Sequence, residues 1–234
     1  MAEEKEKLNI NLDTEEMARA GLHFGHRASK THPKMKPYIY GTKNAVHIID
    51  LEKTKEKFLE ALSFIKDLAS QDKILLLVGT KIQTKNLVRD TAKERGLFYV
   101  SERWLGGTIT NFASIHKRIE HYRDLEQKKS AGELEKYTKK ERLKFDEELA
   151  DLERKFGGIK ELGRIPDAVF VCDLKGDILA AKEARAKGVK VIGICDTNID
   201  PTLVDYPIPA SDDAASSIKY ILDKVKEAIP KNKS

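Results

Sequence analysis

The chain has 234 residues, of which 40% are hydrophobic and 35% charged, and its formal net charge is +5. A chain of this length buries a substantial core in one or two domains, whereas no apolar run approaches the roughly 20 residues that a membrane-spanning helix needs. The acidic, polar N-terminal stretch is unlike a secretory or transit peptide, so we expect a protein of the cytosol.

The first predicted element is a short helix near the N-terminus. Asp13 is placed to cap its first turn, and Gly21 is placed to close its last turn. Residues 1–12, which precede this helix, are predicted to be a mobile preamble.

A basic segment follows at residues 21–49, which contains no acidic residue and holds four of the six histidines. Pro33 and Pro37 predict that it is mostly loop, ending in a short strand at 46–49. Cations interleaved with aromatic residues, without carboxylates, are typical of a surface that contacts phosphate; the alternative is a solvated charged loop. The candidate contact residues are His23, His26, Arg27, Lys30, His32, Lys34, Lys36 and Lys43.

Apolar runs alternate with amphipathic helices through most of the remaining chain. In chain order we predict a helix at 51–69, a strand at 73–79, a helix at 83–95, a strand at 97–100, a strand at 168–172, a helix up to 187, a strand at 189–195 and a helix from about 212. This alternation predicts a parallel sheet with helices on both faces, a doubly wound α/β domain. Cys172 and Cys195 lie inside two of the apolar runs, which favours buried reduced thiols over a disulfide.

Residues 111–156 interrupt this alternation, because they contain no strand candidate and are dense in Lys, Arg and Glu. Apolar residues recur at helical spacing in two stretches, and Thr138 with Glu141 matches the capping box that begins a helix. We predict two antiparallel helices joined as a coiled-coil hairpin that projects from the sheet domain. A helical subdomain folded back on the sheet is the alternative.

No pattern in the sequence indicates a catalytic or nucleotide-binding site. No GxGxxG follows a predicted strand, and VGTK at 78–81 lacks the glycine spacing and the Lys–Ser/Thr ending of a P-loop. The histidines cluster in the basic segment and no serine lies in a GxSxG elbow, so no catalytic triad is indicated. We therefore assign no catalytic residue.

Carboxylates do follow the predicted strands. Asp173 and Asp196 each end an apolar run, and Asp212 and Asp213 begin the final helix, so we expect them to converge at the carboxyl edge of the sheet. Helix capping and loop hydrogen bonds are one explanation. The other is the hypothesis of a divalent cation held by Asp196, Asp212 and Asp213, with His26 as a fourth ligand.

Six stretches of the sequence occur in a distinctive order: GLHFGHRASKTHPKMKPYIYGTKNAVHIIDLEKT, VGTK, RWLGGTITNF, GGI, PDAVFVCD and CDTNIDPTLVDYPIPASDDA. Together they resemble the bacterial small-subunit ribosomal protein S-two family. The resemblance runs from about Glu16 to Ile229, which is nearly the whole chain.

The resemblance implies a three-layer α/β/α, flavodoxin-like (Rossmann-like) parallel sheet with an inserted coiled-coil hairpin. The α/β domain is then discontinuous, with the insertion at 111–156 and a short basic tail at 230–234; its two parts are 13–110 and 157–229. The resemblance further implies a non-enzymatic structural constituent of the small ribosomal subunit in the cytoplasm, anchored on ribosomal RNA at the head–body junction.

The implied partners are small-subunit ribosomal RNA and neighbouring ribosomal proteins, including the messenger-binding protein S-one, whose docking depends on this family. We expect no membrane partner and no small-molecule substrate. No cofactor is expected to be required, and a structural divalent cation is the option that the carboxylates leave open.

The stretch RWLGGTITNF, here called the central motif, supplies further site residues by the same resemblance. Arg103 is expected to contact RNA, and Trp104 is expected to pack in the core. The residues expected to shape the loop between the sheet and the hairpin are Trp104, Gly106, Gly107, Thr108 and Asn111.

Overall fold

The computed structural model describes residues 10–230, so most of the predicted preamble at 1–12 and of the predicted tail at 230–234 lies outside the described residues. The helices of the described range are α1 (Thr14–Arg19), α2 (Leu51–Ser70), α3 (Ile82–Arg95), α4 (Phe112–Ser130), α5 (Lys139–Phe156), α6 (Ile178–Ala186) and α7 (Ala215–Ala228). Its strands are β1 (Phe24–Arg27), β2 (Ile39–Lys43), β3 (Val46–Ile49), β4 (Leu75–Val78), β5 (Phe98–Val100), β6 (Ala168–Val171), β7 (Lys190–Cys195) and β8 (Tyr206–Pro209). None of these helices combines the length and apolar character that crossing a bilayer requires.

Five parallel strands form the central sheet, in the order β5–β4–β6–β7–β8. Counted along the chain, this is the 2-1-3-4-5 order of flavodoxin-like folds. The strands pair in register, for example Leu76 with Val169 and Val169 with Val191. The predicted doubly wound parallel sheet is therefore confirmed, and Cys172 and Cys195 are buried free thiols, as predicted.

Each face of the central sheet has its own hydrophobic core, because side chains alternate between the faces. Leu77 and Phe170 lie in a core shared with α1, α2, α3 and α7. Leu76 and Val169 lie in the other core, shared with α6 and with apolar side chains of α4 and α5. Because both faces are covered, β4 and β6 are buried and apolar at every position, which explains why the sequence shows them as continuous apolar runs.

The sequence pattern does not predict the edge strand β8, whose sequence is YPIP. Proline lacks the N–H of a sheet ladder and is confined to strand edges and bulges. The backbone N–H of Ala210 points toward β7, where it donates to the carbonyl of Cys195 at 3.2 Å. Because backbone groups alternate in direction along a strand, the backbone nitrogens of Pro207 and Pro209 face the open side of the sheet. There the carbonyl of Pro209 accepts a hydrogen bond from Thr54 Oγ1 of α2 at 2.5 Å.

The prediction that the basic segment is mostly loop is wrong, because it forms a small antiparallel sheet in the order β1–β3–β2. The prolines lie in the 3₁₀ turn Pro33–Tyr38 between β1 and β2 and do not interrupt a strand. Asn44 and Ala45 form the two-residue turn between β2 and β3, with φ angles of 52° and 62°. The usual signal for such a turn is Asn-Gly, so its absence concealed the hairpin.

Residues 111–156 contain the two helices α4 and α5, which pack against each other. Thr138 and Glu141 form the predicted capping box at the start of α5. Lys129 near the end of α4 pairs with Asp146 of α5 at 2.6 Å, and the earlier residue His121 pairs with the later residue Glu148 at 2.9 Å, so the helices run in opposite directions. The coiled-coil geometry of this hairpin and the proposed domain boundaries remain predictions.

Candidate nucleic-acid interface

The small sheet is attached to the carboxyl edge of the central sheet through Thr197, two residues after β7. The backbone N–H of His26 donates to Thr197 Oγ1 at 2.9 Å, and the N–H of His32 donates to the Thr197 carbonyl at 2.8 Å. Gly25 approaches so closely that a Cβ at this position would lie 2.6 Å from Thr197 Cγ2. The basic segment therefore has a defined position on the α/β domain.

The predicted cations of this segment differ in what they contact. Lys34 Nζ lies 2.7 Å from Asp200 Oδ2 and 2.9 Å from Thr202 Oγ1, so its positive charge is paired with a carboxylate of the same chain. The ammonium group holds the pKa of the Asp200 carboxyl well below its usual range. The cations that are exposed, and whose side chains form no ion pair within residues 10–230, are Arg27, Lys30, Lys36, Lys43 and, from the central motif, Arg103.

The imidazole groups are engaged within the protein. The ring of His23 packs on Phe24 with 4.0 Å between centroids, and burial lowers the pKa of His23, which favours its neutral form. His32 Nδ1 accepts a hydrogen bond from the backbone N–H of Lys34 at 3.4 Å. His26 faces carboxylates. The exposed Lys and Arg side chains, rather than the histidines, are therefore the groups available to phosphate.

Two aromatic side chains of the small sheet also face solvent. Phe24 is 53% exposed and Tyr40 is 81% exposed, which is unusual for large apolar groups. Phe24 lies on β1 and Tyr40 on β2, the two outer strands of the small sheet. The small sheet thus presents both positive charge and aromatic rings to a partner.

The central motif is organised around Glu183, a buried residue of α6 that accepts five hydrogen bonds. The donors are Trp104 Nε1 (3.2 Å), the backbone N–H groups of Gly107 (2.8 Å), Ile109 (3.1 Å) and Thr110 (3.1 Å), and Thr110 Oγ1 (2.9 Å). Burial opposes ionisation of Glu183, but these donors outweigh it, so the pKa of the carboxyl lies below its ordinary value. We call Glu183 and its donors the Glu183 site.

The Glu183 site fixes the loop that connects β5 to α4. Sequence reasoning missed Glu183, because a single glutamate in a charged helix normally faces solvent. The small buried residues around it, Ala180, Ala181 and Ala184, are the signal that this side of α6 is covered.

The remaining residues of the central motif shape the loop. Gly107 has a φ of +93°, a conformation that side chains disfavour. Thr108 is buried and its Oγ1 donates to the carbonyl of Leu105 at 2.6 Å. Gly106 is exposed, and Asn111 precedes α4 without forming a side-chain capping bond.

A second group of charged residues, some of them buried, lies where the small sheet meets the central sheet. This strand-edge cluster consists of His26, Lys81, Asp173, Asp196, Asp212 and Asp213. Lys81 Nζ lies 2.6 Å from Asp213 Oδ1 and 3.4 Å from Asp212 Oδ1. His26 Nδ1 lies 3.1 Å from Asp196 Oδ2. The carboxylates converge as predicted, whereas no sequence pattern indicated that Lys81 joins them.

The crowding of carboxylates changes their protonation. Burial, with the negative charges of Asp196 and Asp173, raises the pKa of Asp212 to about 7. Contact with Asp196 raises the pKa of His26 by more than burial lowers it. Near neutral pH, Asp212 is therefore partly protonated, and the environment of His26 favours its protonated form.

Three of the four predicted cation ligands come together. His26, Asp196 and Asp212 each offer a ligand atom, and these atoms lie within 4.8 Å of one another. Asp213 is instead bound to Lys81 and its side chain is 60% exposed. An ion at this position would share Asp212 with the Lys81 ammonium group.

The explanation by helix capping and loop hydrogen bonds accounts for two of the carboxylates. Asp196 accepts loop hydrogen bonds from the backbone N–H of Thr197 at 2.5 Å and from that of Asp212 at 3.4 Å. Asp173 accepts hydrogen bonds from the N–H groups of Lys175 at 3.0 Å and Gly176 at 2.9 Å, in the turn after β6. Asp212 and Asp213 do not cap α7, whose preceding residue is Ala214 and which has no side-chain cap.

Comparison with known proteins gives one consistent result. A family model described as Ribosomal protein S2 matches residues 17–232. A protein named small ribosomal subunit protein uS2 from Roseiflexus sp. (strain RS-1) is 44% identical over 212 residues, covering 91% of this chain and 81% of the relative. Proteins of the same name from Koribacter versatilis (strain Ellin345) and Geotalea uraniireducens (strain Rf4) are 41% and 42% identical over 219 residues. Each alignment covers 94% of this chain, with 73% and 86% of the respective relative.

Proposed function

The chain belongs to the ribosomal protein S2 family, a structural constituent of the small ribosomal subunit, and from this premise we propose how it is anchored there. In this proposal it binds small-subunit ribosomal RNA at the head–body junction through the basic segment and supports docking of the messenger-binding protein S-one. It works in the cytoplasmic ribosome as a scaffold and not as an enzyme.

The observation that carries the RNA proposal is the distribution of free positive charge on the small sheet. Arg27, Lys30, Lys36 and Lys43 are exposed, and none forms an ion pair with a carboxylate in the described part of the chain. The segment that bears them is fixed to the α/β domain through Thr197, so little ordering is required on binding. Cations on a rigid surface bind phosphate by releasing counterions, without reading base sequence.

Salt dependence tests this proposal directly. We expect the full chain to bind small ribosomal subunits stoichiometrically in co-sedimentation, with affinity that falls as salt rises. The variant Lys30→Gln/Lys36→Gln/Lys43→Gln should lower the log–log salt slope by roughly 2 to 3, because it removes three phosphate contacts.

The matched control replaces Lys182, Lys187 and Lys219, three exposed lysines outside the basic segment, by glutamine. Its slope should equal that of the wild type. Equal slopes for both triple variants would refute RNA anchoring through the basic segment, and no binding at low salt would refute the ribosomal role.

For S-one docking, the supporting observation is the exposure of Phe24 and Tyr40 on the same small sheet. We expect Phe24→Ser/Tyr40→Ser to reduce the amount of S-one retained on reconstituted subunits, while the amount of this protein on the subunits stays unchanged. Unchanged retention of S-one would contradict docking at this surface.

A divalent cation in the strand-edge cluster is a second proposal, supported by the convergence of His26, Asp196 and Asp212 within 4.8 Å. The ion would compete with protons at Asp212, whose pKa is about 7, and at His26, so binding should release protons. We expect Zn²⁺ or Mn²⁺ added to the full chain in weak buffer to acidify the solution, and Asp196→Ala to abolish this change. Metal analysis that finds no stoichiometric ion in either protein would refute the site.

A further inference from the structure

The topological switch point of the central sheet lies between β4 and β6. From this pair the strand order extends to β5 on one side and to β7 and β8 on the other. The helices that follow the two strands also diverge, because α3 packs in the core of one face and α6 packs in the core of the other. Sheets of this kind bind their ligands in the crevice that such a divergence leaves at the carboxyl ends of the strands.

In this chain the two loops that border the crevice are bound to each other. The backbone N–H of Thr80 donates to Asp177 Oδ2 at 3.1 Å, and Thr80 Oγ1 donates to Asp177 Oδ1 at 2.8 Å. The Asp177 carboxylate therefore takes up donors that a small anionic ligand would use there. What the crevice offers to a partner is its two exposed sides.

An exposed aliphatic side chain lies on each side of this contact. Ile82, the first residue of α3, is 81% exposed, and Leu179, the second residue of α6, is 46% exposed. Each lies two residues along the chain from the Thr80–Asp177 hydrogen bonds. A single exposed aliphatic residue needs no explanation, whereas two at the same crevice indicate a contact surface.

The central motif connects the two sides of the crevice. A Cβ at Gly106 would lie 3.8 Å from Leu179 Cδ2, so the motif passes beside Leu179. On the other side, Lys85 pairs with Glu102 at 3.4 Å, and Lys85 lies one turn after Ile82 on α3. The exposed residues between Glu102 and Gly106 therefore lie near both aliphatic side chains.

The unpaired charge on this surface is positive. Arg103 of the central motif and Lys175 of the loop between β6 and α6 are exposed, and neither forms an ion pair within residues 10–230. The buried carboxylates Asp173 and Asp177 accept hydrogen bonds from their own chain. Two exposed carboxylates of this edge are each paired with a lysine, namely Glu102 and Asp213.

We call Ile82, Arg103, Lys175 and Leu179 the crevice patch. Guanidinium and ammonium groups bind carboxylates and phosphates alike, so the two cations do not decide between protein and RNA. The aliphatic side chains do, because they gain by leaving water when the partner supplies apolar surface of its own. An acidic amphipathic segment combines such surface with carboxylates, whereas an RNA backbone presents phosphates and polar sugars.

We propose that the crevice patch is a docking site for an acidic amphipathic segment of a neighbouring ribosomal protein. S-one docking is proposed above at the aromatic side chains of the small sheet, so the partner here is a different resident of the subunit. The inference rests on the proposed ribosomal function, and it gives Arg103 a protein contact in place of the RNA contact that the resemblance implies. The Glu183 site holds the central motif in position, so docking requires little ordering.

Site-specific photo-cross-linking on assembled small subunits tests the proposal. The probe is p-benzoylphenylalanine in place of Ile82 or, in a second variant, of Leu179, in full chains assembled into subunits that lack S-one. We expect both probes to cross-link to the same protein of the subunit, at a segment, located by mass spectrometry, in which acidic residues outnumber basic ones. The control carries the probe in place of Ala186, an exposed residue at the end of α6, and should not cross-link to that segment.

Charge provides the second measurement. Arg103→Gln/Lys175→Gln should lower the yield of this cross-link by roughly threefold to tenfold, because two charge pairs are lost. Lys187→Gln/Lys219→Gln removes the same charge from exposed positions elsewhere and should leave the yield unchanged. In binding a transcript of small-subunit ribosomal RNA, Arg103→Gln/Lys175→Gln should keep the wild-type log–log salt slope.

Cross-links from Ile82 and Leu179 to RNA, to a protein segment that is not acidic, or to no partner would overturn the proposal. A salt slope lowered by about 2 in Arg103→Gln/Lys175→Gln would also overturn it, since both cations would then contact phosphate. These outcomes leave RNA anchoring through the basic segment intact. Failure of the wild-type chain to enter small subunits would instead remove the proposed function and this inference with it.

Discussion

The Glu183 site and the strand-edge cluster both bury carboxylates, but the pKa of the buried carboxyl is lowered in the first and raised in the second. Glu183 is surrounded by N–H and O–H donors, and its pKa lies below the ordinary value. At Asp212, burial and the nearby carboxylates Asp196 and Asp173 outweigh the effect of Lys81, and the pKa rises to about 7. Exposure does not distinguish them, since Glu183 is 5% exposed and Asp212 is 3% exposed.

The comparison shows that burial opposes ionisation of both carboxylates and that their neighbours decide whether this effect is overcome or reinforced. Donors that are fixed by the backbone stabilise the charged form and convert one residue into a structural anchor. Carboxylates that crowd together retain protons, or attract a cation, and remain responsive to pH. The first arrangement holds the base of the hairpin, and the second joins the small sheet to the central sheet.

The largest expected effect comes from removing the anchor. Glu183→Ala leaves five donors without an acceptor, so we expect the free energy of unfolding to fall by about 3 kcal/mol. Urea unfolding followed by circular dichroism measures this loss. Lys182→Ala, its exposed neighbour on α6, should cost under about 0.5 kcal/mol. A loss for Glu183→Ala as small as that of the control would mean that the donors find other partners and that the site is not an anchor.

The contact between the two sheets provides the next test. Gly25→Ala would place a Cβ 2.6 Å from Thr197 Cγ2, and we expect a loss of about 1–3 kcal/mol together with weaker RNA binding. Thr197→Ser removes that methyl group and should restore part of the stability in the double variant. Gly41→Ala is the matched control, because a Cβ at Gly41 meets nothing within 4 Å. Equal stability of the two Gly→Ala variants would contradict close packing at Thr197.

The protonation of Asp212 predicts an unusual pH dependence of the free energy of unfolding. Its ordinary pKa is 3.8 and its folded value is about 7, so between these limits the folded state binds a proton that the unfolded state does not. Stability should therefore fall as pH rises from about 4 to 7, by at most about 1.4 kcal/mol per pH unit. His26, whose pKa is also raised, adds to the loss at the upper end of this range.

Thermal unfolding from pH 5 to 8 tests the direction of this slope. Asp212→Asn should flatten it, because an amide does not titrate, whereas exposed Asp67→Asn should leave it unchanged. Stability that rises with pH in the wild type would show that Asp212 is ionised like Glu183, and the contrast between the two sites would disappear.

The smallest effect on stability is expected at Asp200, whose carboxylate pairs with the exposed Lys34 instead of with buried donors or other carboxylates. The distance between Lys34 Nζ and Asp200 Oδ2 is 2.7 Å. Exposed ion pairs contribute little, because solvent screens them. We expect Lys34→Gln and Asp200→Asn each to shift the melting temperature by no more than about 2 °C. A double-mutant cycle that yields a coupling as large as the effect of Glu183→Ala would contradict this ranking.

Sequence reasoning recovered the parts of this molecule that have a local pattern. The apolar runs of β4, β6 and β7 identify a sheet covered on both faces, and the positions of Asp196 and Asp212 at strand ends predict their convergence. The small sheet was missed because its strands are short and its turn uses Ala45 in place of glycine. Glu183 was missed because its five donors come from residues 73 to 79 positions earlier in the chain, and no local pattern records such a contact.

The proline-containing edge strand β8 has a consequence for the protein before it meets its partners. A ribosomal protein exists free for a time after synthesis, and an open sheet edge is a template on which another chain can add a strand. Pro207 and Pro209 remove the N–H donors from that edge, and Thr54 covers the carbonyl of Pro209. The same residues that conceal β8 from sequence analysis thus protect the unassembled chain from aggregation.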